Sequence, residues 1–104
     1  MIYHYTDRTG YNAIRATVDW CFKASQPPPR DHPIGAYFTT LLPETRNLAQ
    51  RLRIPSEKLI FFFSFEDSGD LKRLDGGRGE HVLYSPHDYI VAIIRQRESG
   101  EAKA

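Results

Sequence analysis

With 104 residues, 40% hydrophobic and 26% charged side chains, the chain has room for one domain with one modest core and none for a second. A formal net charge of +1 excludes the basic footprint of a protein that holds nucleic acid non-specifically, and the single cysteine, Cys21, excludes an internal disulfide and the usual structural zinc site. No apolar run nears the roughly 20 residues that cross a bilayer, and the N-terminus lacks the basic-then-apolar order of a signal peptide, so a cytoplasmic protein with no membrane partner is expected.

In chain order, Met1 to Tyr5 sets Ile2 and His4 against Tyr3 and Tyr5, a period-two pattern that predicts a short strand delivering His4 and Tyr5 to its C-terminal end. Thr6 or Asp7 caps a short amphipathic helix through Tyr11 to Ala16. Asp19 to Lys23 reads as a strand, and the proline-rich stretch from Ser25 to Pro33 as a surface loop. Gly35 then opens an aromatic strand, Ala36-Tyr37-Phe38-Thr39. Ala36 and Phe38 face one side and Tyr37 the other, with the glycine allowing a backbone or a ligand to come close.

Pro43 and Glu44 suit the first turn of a second helix, with Leu48, Ala49 and Leu52 as its apolar stripe and an end near Ile54-Pro55. Leu59 to Phe65 is a continuous apolar run of strand length, which predicts a central strand covered on both faces. Beyond a turn at Ser68-Gly69-Asp70, Leu71 to Leu74 reads as an edge strand or turn and Asp75 to Gly79 as a glycine hinge. Glu80 to Tyr84 and Tyr89 to Ile94 read as strands around a Ser85-to-Asp88 turn, and a polar tail that frays closes the chain, its last residues 98–104 outside a domain of 1–97.

His4, Tyr37 and Glu80 thus stand at strand ends. An imidazole, an aromatic platform and a carboxylate are what a site needs to hold a ribose, stack a flat ring and stabilise an oxocarbenium-like centre. In this order they resemble the catalytic domain of the diphtheria-toxin and PARP-like ADP-ribosyltransferases, and in particular the compact bacterial toxin domains that open with a His-Tyr-Thr signature. Ile2-Tyr3-His4-Tyr5-Thr6 followed by Gly10-Tyr11-Asn12-Ala13-Ile14 matches the family's first strand and helix. Gly35-Ala36-Tyr37-Phe38 matches its Gly-Ile-Tyr-Phe strand, and Glu80-His81-Val82-Leu83-Tyr84 its glutamate-headed strand.

The resemblance implies an α+β split sandwich of two packed, mostly antiparallel sheets with two short helices. It also implies an NAD substrate held by His4, Tyr5, Thr6, Gly35, Tyr37 and Thr45, with His4, Tyr37 and Glu80 as the catalytic set. His4 would bind the adenosine ribose, Tyr37 would stack on nicotinamide, Glu80 would hold the 2′-hydroxyl of the nicotinamide ribose, and no metal would take part. There are departures: Tyr5 stands where the polymerases have glycine, so carboxamide contacts fall to its backbone, and Leu48 stands where they have a second stacking tyrosine. Asp88-Tyr89-Ile90-Val91 also looks like the family's Glu-Tyr-Ile-Val motif. Glu80 is preferred to Asp88 because the family has one further strand after its glutamate, and the chain beyond Asp88 reads as a single strand.

The implied activity is mono-ADP-ribosyl transfer to a macromolecular acceptor by a toxin or bacterial effector, with an immunity or antitoxin protein as a partner and export by a dedicated secretion system as one route to its target. NAD glycohydrolysis and a catalytically silent binding module are the alternatives, and a histidine ribonuclease a third. His32, His81 and His87 lack metal-ligand spacing, and Arg30 and Arg78 are candidates for the pyrophosphate.

Overall fold

The computed structural model describes residues 1–25, 34–52, 55–73 and 81–102. Alternation in Ile2–Thr6 (β1) sets the architecture, because each face of this inner strand carries side chains that must be buried. Ile2 and Tyr5 are both buried, on opposite faces. β1 lies between Ala36–Thr39 (β3) and Phe61–Phe65 (β4), antiparallel to both. Adding Lys72–Arg73 (β5), Val82–Ser85 (β6) and Gln96–Glu101 (β8) gives a six-stranded sheet in the order β5-β6-β3-β1-β4-β8. Trp20–Phe22 (β2) and Tyr89–Val91 (β7) pair antiparallel as a second, two-stranded sheet.

The faces of the large sheet support two cores. Ile2, Phe38, Phe63 and Phe65 pack against Trp20, Phe22, Tyr89 and Val91 of the small sheet and against Ile14 of Arg8–Arg15 (α1). Asp7 caps α1, accepting the Gly10 N–H at 2.9 Å, and is held in turn by Lys58 at 2.6 Å. On the other face Tyr5 and Val82 pack against Leu48 and Leu52 of Leu48–Leu52 (α2) and against Leu59. The domain is a compact α+β fold of two antiparallel sheets and two helices, as the sequence predicts at that level.

Three elements differ from the sequence reading. The second helix begins only at Leu48: Asn47 has φ 58°, a left-handed conformation that asparagine tolerates and a helix cannot contain, while the Thr45 N–H closes a turn onto the Leu42 carbonyl at 3.0 Å. The apolar run Leu59 to Phe65 splits into a 3₁₀ turn, Ser56–Leu59, and β4. The strand from Tyr89 stops at Val91, and the polar stretch expected to fray forms β8 on the open edge of β4. Two strands, not one, therefore follow Asp88.

Phe63 has no exposed surface and meets Trp20, Phe22 and Tyr11 at ring separations of 4.8, 5.7 and 5.3 Å. Phe63→Ala is expected to cost about 3–5 kcal/mol in urea unfolding, against under about 0.5 kcal/mol for the exposed Ile90→Ala, because only the first empties a packed site. Equal losses at the two positions would contradict this division of core from surface.

Candidate functional site

β1 and β3 carry the two signature motifs side by side. Their registered pairing is Tyr3 with Thr39. A side chain links the strands as well: His4 Nδ1 donates to the Tyr37 carbonyl at 2.9 Å. The carbonyl fixes the tautomer, since only a protonated Nδ1 can donate to it, and leaves Nε2 as an acceptor. The His4 ring packs edge-on to Phe22 at 4.7 Å and against Phe38 at 5.5 Å, bridging the two sheets. Burial in this aromatic setting lowers the His4 pKa to about 4, outweighing the hydrogen bond to Tyr37, which raises it. Nε2 has no partner among the described residues, yet no buried side-chain nitrogen or oxygen among them is unpaired. The residue as a whole is half-buried.

Tyr37 projects the other way. Its ring stacks on Tyr84 at 5.6 Å and 17° and lies against the second core with Tyr5, whereas His4 contacts the first. The two side chains expected to share one dinucleotide lie on opposite faces of a single sheet. What His4 meets of Tyr37 is its carbonyl. Glu80, with Arg30, Arg78 and His32, lies outside the described residues.

The remaining candidates have defined structural roles. Tyr5 is buried and its hydroxyl donates to the Leu41 carbonyl at 2.7 Å, with its pKa raised by burial first and then by Tyr3 and Glu44. Thr6 is half-buried with its hydroxyl against Gly10, where a Cβ would collide with it. A Cβ on Gly35 would lie 2.5 Å from the Ser85 carbonyl oxygen and 3.1 Å from the Tyr84 ring, so the close approach expected of this glycine is made by backbone. Thr45 sits in the turn before α2 rather than on the helix.

Asp88, just before β7, is tied to the residues that follow β2, at one end of the small sheet. One carboxylate oxygen accepts the Ala24 N–H at 2.8 Å and the other pairs with Lys23 at 3.3 Å. These contacts, the Ala24 amide first, hold its pKa below the usual carboxylate range. The next residue, Ser25, exchanges two backbone hydrogen bonds of 3.0 Å with Gly35. A hydrogen-bonded path thus runs from Asp88 through residues 24–25 to Gly35, two positions before the carbonyl that holds His4. His81, half-buried, precedes β6 and His87 lies in an exposed turn; among the described residues no group of three His, Cys, Asp or Glu side chains comes within reach of one metal ion. No helix among them is long and apolar enough to cross a membrane.

A cavity of about 440 Å³ opens on the Tyr37 face, over Tyr3 and Phe62 and beside Glu44, Glu98 and Glu101. Sequence reasoning missed it. Alternation does turn Tyr3 and Phe62 to this face, but the glutamates join them only through the pairing of β8 with β4. Comparison with protein-family models, with curated proteins and with solved structures finds no match.

The folded His4 stays neutral down to about pH 4, whereas an unfolded histidine protonates near its ordinary value of 6.5. Between these values the unfolded state binds more protons, so the stability held above pH 6.5 falls progressively as pH drops toward 4. His4→Gln, which has no proton to take up there, is expected to flatten that part of the curve in urea titrations at pH 7, 6, 5 and 4.5. Parallel curves for wild type and variant would place the ring in water rather than between Phe22 and Phe38.

Proposed function

We propose that the chain is an NAD-dependent mono-ADP-ribosyltransferase on the split-sandwich fold that its motifs resemble, acting as a toxin-like or effector-like domain on a macromolecular acceptor. The observation that supports it is the His4–Tyr37 hydrogen bond. It joins the two signature motifs, and it holds a neutral imidazole in the tautomer whose Nε2 can accept a hydrogen bond, the chemistry that a ribose hydroxyl requires. In the reaction the glycosidic bond from the ribose C1′ to nicotinamide breaks and nicotinamide leaves with the electron pair. The acceptor nucleophile then bonds to C1′ and gives up its proton. A carboxylate near C1′ stabilises the positive charge that develops there.

In this reading a ligand at Nε2 lies on the inter-sheet side of β1. Tyr37 then serves through its carbonyl, holding the imidazole, and its ring supports the opposite face against Tyr84. Two carboxylates compete for the charge-stabilising role. Glu80 has the motif resemblance. Asp88 has the strand count, since β8 supplies the one further strand after β7, but both of its oxygens are already engaged.

Release of nicotinamide from labelled NAD, with a cell lysate as acceptor source, tests the reading. Glu80→Gln is expected to fold and to lower turnover about 100-fold or more, the effect of removing about 3 kcal/mol from transition-state stabilisation. Asp88→Asn keeping wild-type turnover assigns the role to Glu80, and the reverse pattern assigns it to Asp88. Tyr37→Leu is expected to lose stability while keeping NAD affinity within a few-fold. Absence of nicotinamide release by wild-type protein rejects the enzyme, and free ADP-ribose without labelled acceptor identifies a glycohydrolase.

A further inference from the structure

We propose that the cavity over Tyr3 and Phe62 is a recognition pocket for an arginine side chain of a partner polypeptide. It lies on the face of the large sheet opposite to His4 and does not rest on the NAD reading.

The floor of the cavity is aromatic: Tyr3 and Phe62 are half-buried with ring centroids 6.3 Å apart. They close a row of rings across four strands, in which Tyr84 is registered with Tyr37 and Tyr5 with Phe62. The row stops because the partner of Phe62 on β8 is Gly100, where an added Cβ would meet nothing within 4 Å. The edge of Phe62 is thus left open instead of being capped by a side chain. Leu42, 47% exposed, and Pro43 form an apolar wall suited to the methylene stem of a long side chain.

The rim is acidic and no ion pair neutralises it among the described residues. Glu44, Glu98 and Glu101 are exposed, and none forms an ion pair with a described residue, whereas Asp7, Glu66 and Asp88 do. Their field reaches the floor: the Tyr3 pKa is raised by burial, then by Glu44 and Glu98. Such a rim repels phosphate and nucleic acid and attracts a cation. The three carboxylates do not converge closely enough to share a metal ion, so a cation with spread charge fits them better than a point charge. A guanidinium meets both demands, stacking on aromatic faces while its planar fork donates to separate carboxylates, whereas a lysine ammonium offers only a compact, strongly hydrated charge.

Calorimetric titration of the whole chain at low ionic strength with the peptide acetyl-Gly-Arg-Gly-Arg-Gly-amide tests the assignment, beside the same peptide with citrulline or with lysine at both arginine positions. The arginine peptide is expected to bind at least about tenfold more tightly than either counterpart, and to weaken at least about tenfold in the Glu98→Gln/Glu101→Gln double variant and as salt is raised. Both glutamates are exposed, so the double variant keeps its fold, which circular dichroism checks. Glu57→Gln, which removes an exposed carboxylate on the Ser56–Leu59 turn, is expected to bind as wild type does. Equal binding of the citrulline or lysine peptide, binding unchanged in the double variant, or no binding at millimolar peptide each overturns the proposal.

Discussion

A side-chain hydrogen bond ties together the two signature strands. β1 and β3 are in register at Tyr3 and Thr39, and further on the Tyr37 carbonyl takes its hydrogen bond from the His4 imidazole. A hydrogen bond between groups held inside a sheet adds to the backbone pairing on either side of it. Histidine suits the place because one ring nitrogen donates while the rest of the ring packs, here against Phe22 of the small sheet and Phe38 of the large one. The bond that closes the junction thus also joins the sheets. It fixes the tautomer, and the aromatic burial that comes with it keeps the ring uncharged at neutral pH.

That junction has a consequence for both faces of β1. Because side chains alternate, a histidine committed to the inter-sheet core turns Tyr3 and Tyr5 to the other face, where they meet Tyr37, Tyr84 and Phe62. The large sheet is therefore aromatic on both sides for different reasons. One side is the phenylalanine core between the sheets, against which the half-buried His4 packs. The other is a row of tyrosines covered in part by α2 and Leu59 and left open at the end where Gly100 stands.

Much of the fold was legible because its strands alternate and its turns are punctuated. A buried strand within Leu59 to Phe65, the split of Ala36 and Phe38 from Tyr37, a cap at Thr6 or Asp7 and the close approach at Gly35 all follow from residue type and spacing. The short α2 was not legible, since Pro43, Glu44 and the leucine stripe are good helix signals and the left-handed Asn47 is a tertiary choice. β8 was not legible either. Gln96–Glu101 has no apolar alternation, and its conformation is decided by the open edge of Phe61–Phe65, which offers the hydrogen bonds that make a polar segment a strand.

The candidate site was half legible for a related reason. Period-two patterning fixes which residues of one strand share a face, but not the phase between neighbouring strands, and a shift of one residue exchanges faces. The faces of His4 and Tyr37 were read correctly within their own strands, Tyr37 as turned away from Ala36 and Phe38, although His4 stands mid-strand in Ile2–Thr6 and not at a strand end. Whether they met depended on the pairing of Tyr3 with Thr39, which sets His4 opposite Phe38 and Tyr5 opposite Tyr37. With Thr39 one place further along, imidazole and phenol would have shared a face. In the observed register they share a carbonyl instead, so any chemistry at Nε2 draws on the backbone of Tyr37, while its ring belongs with the aromatic floor that ends in the acidic cavity.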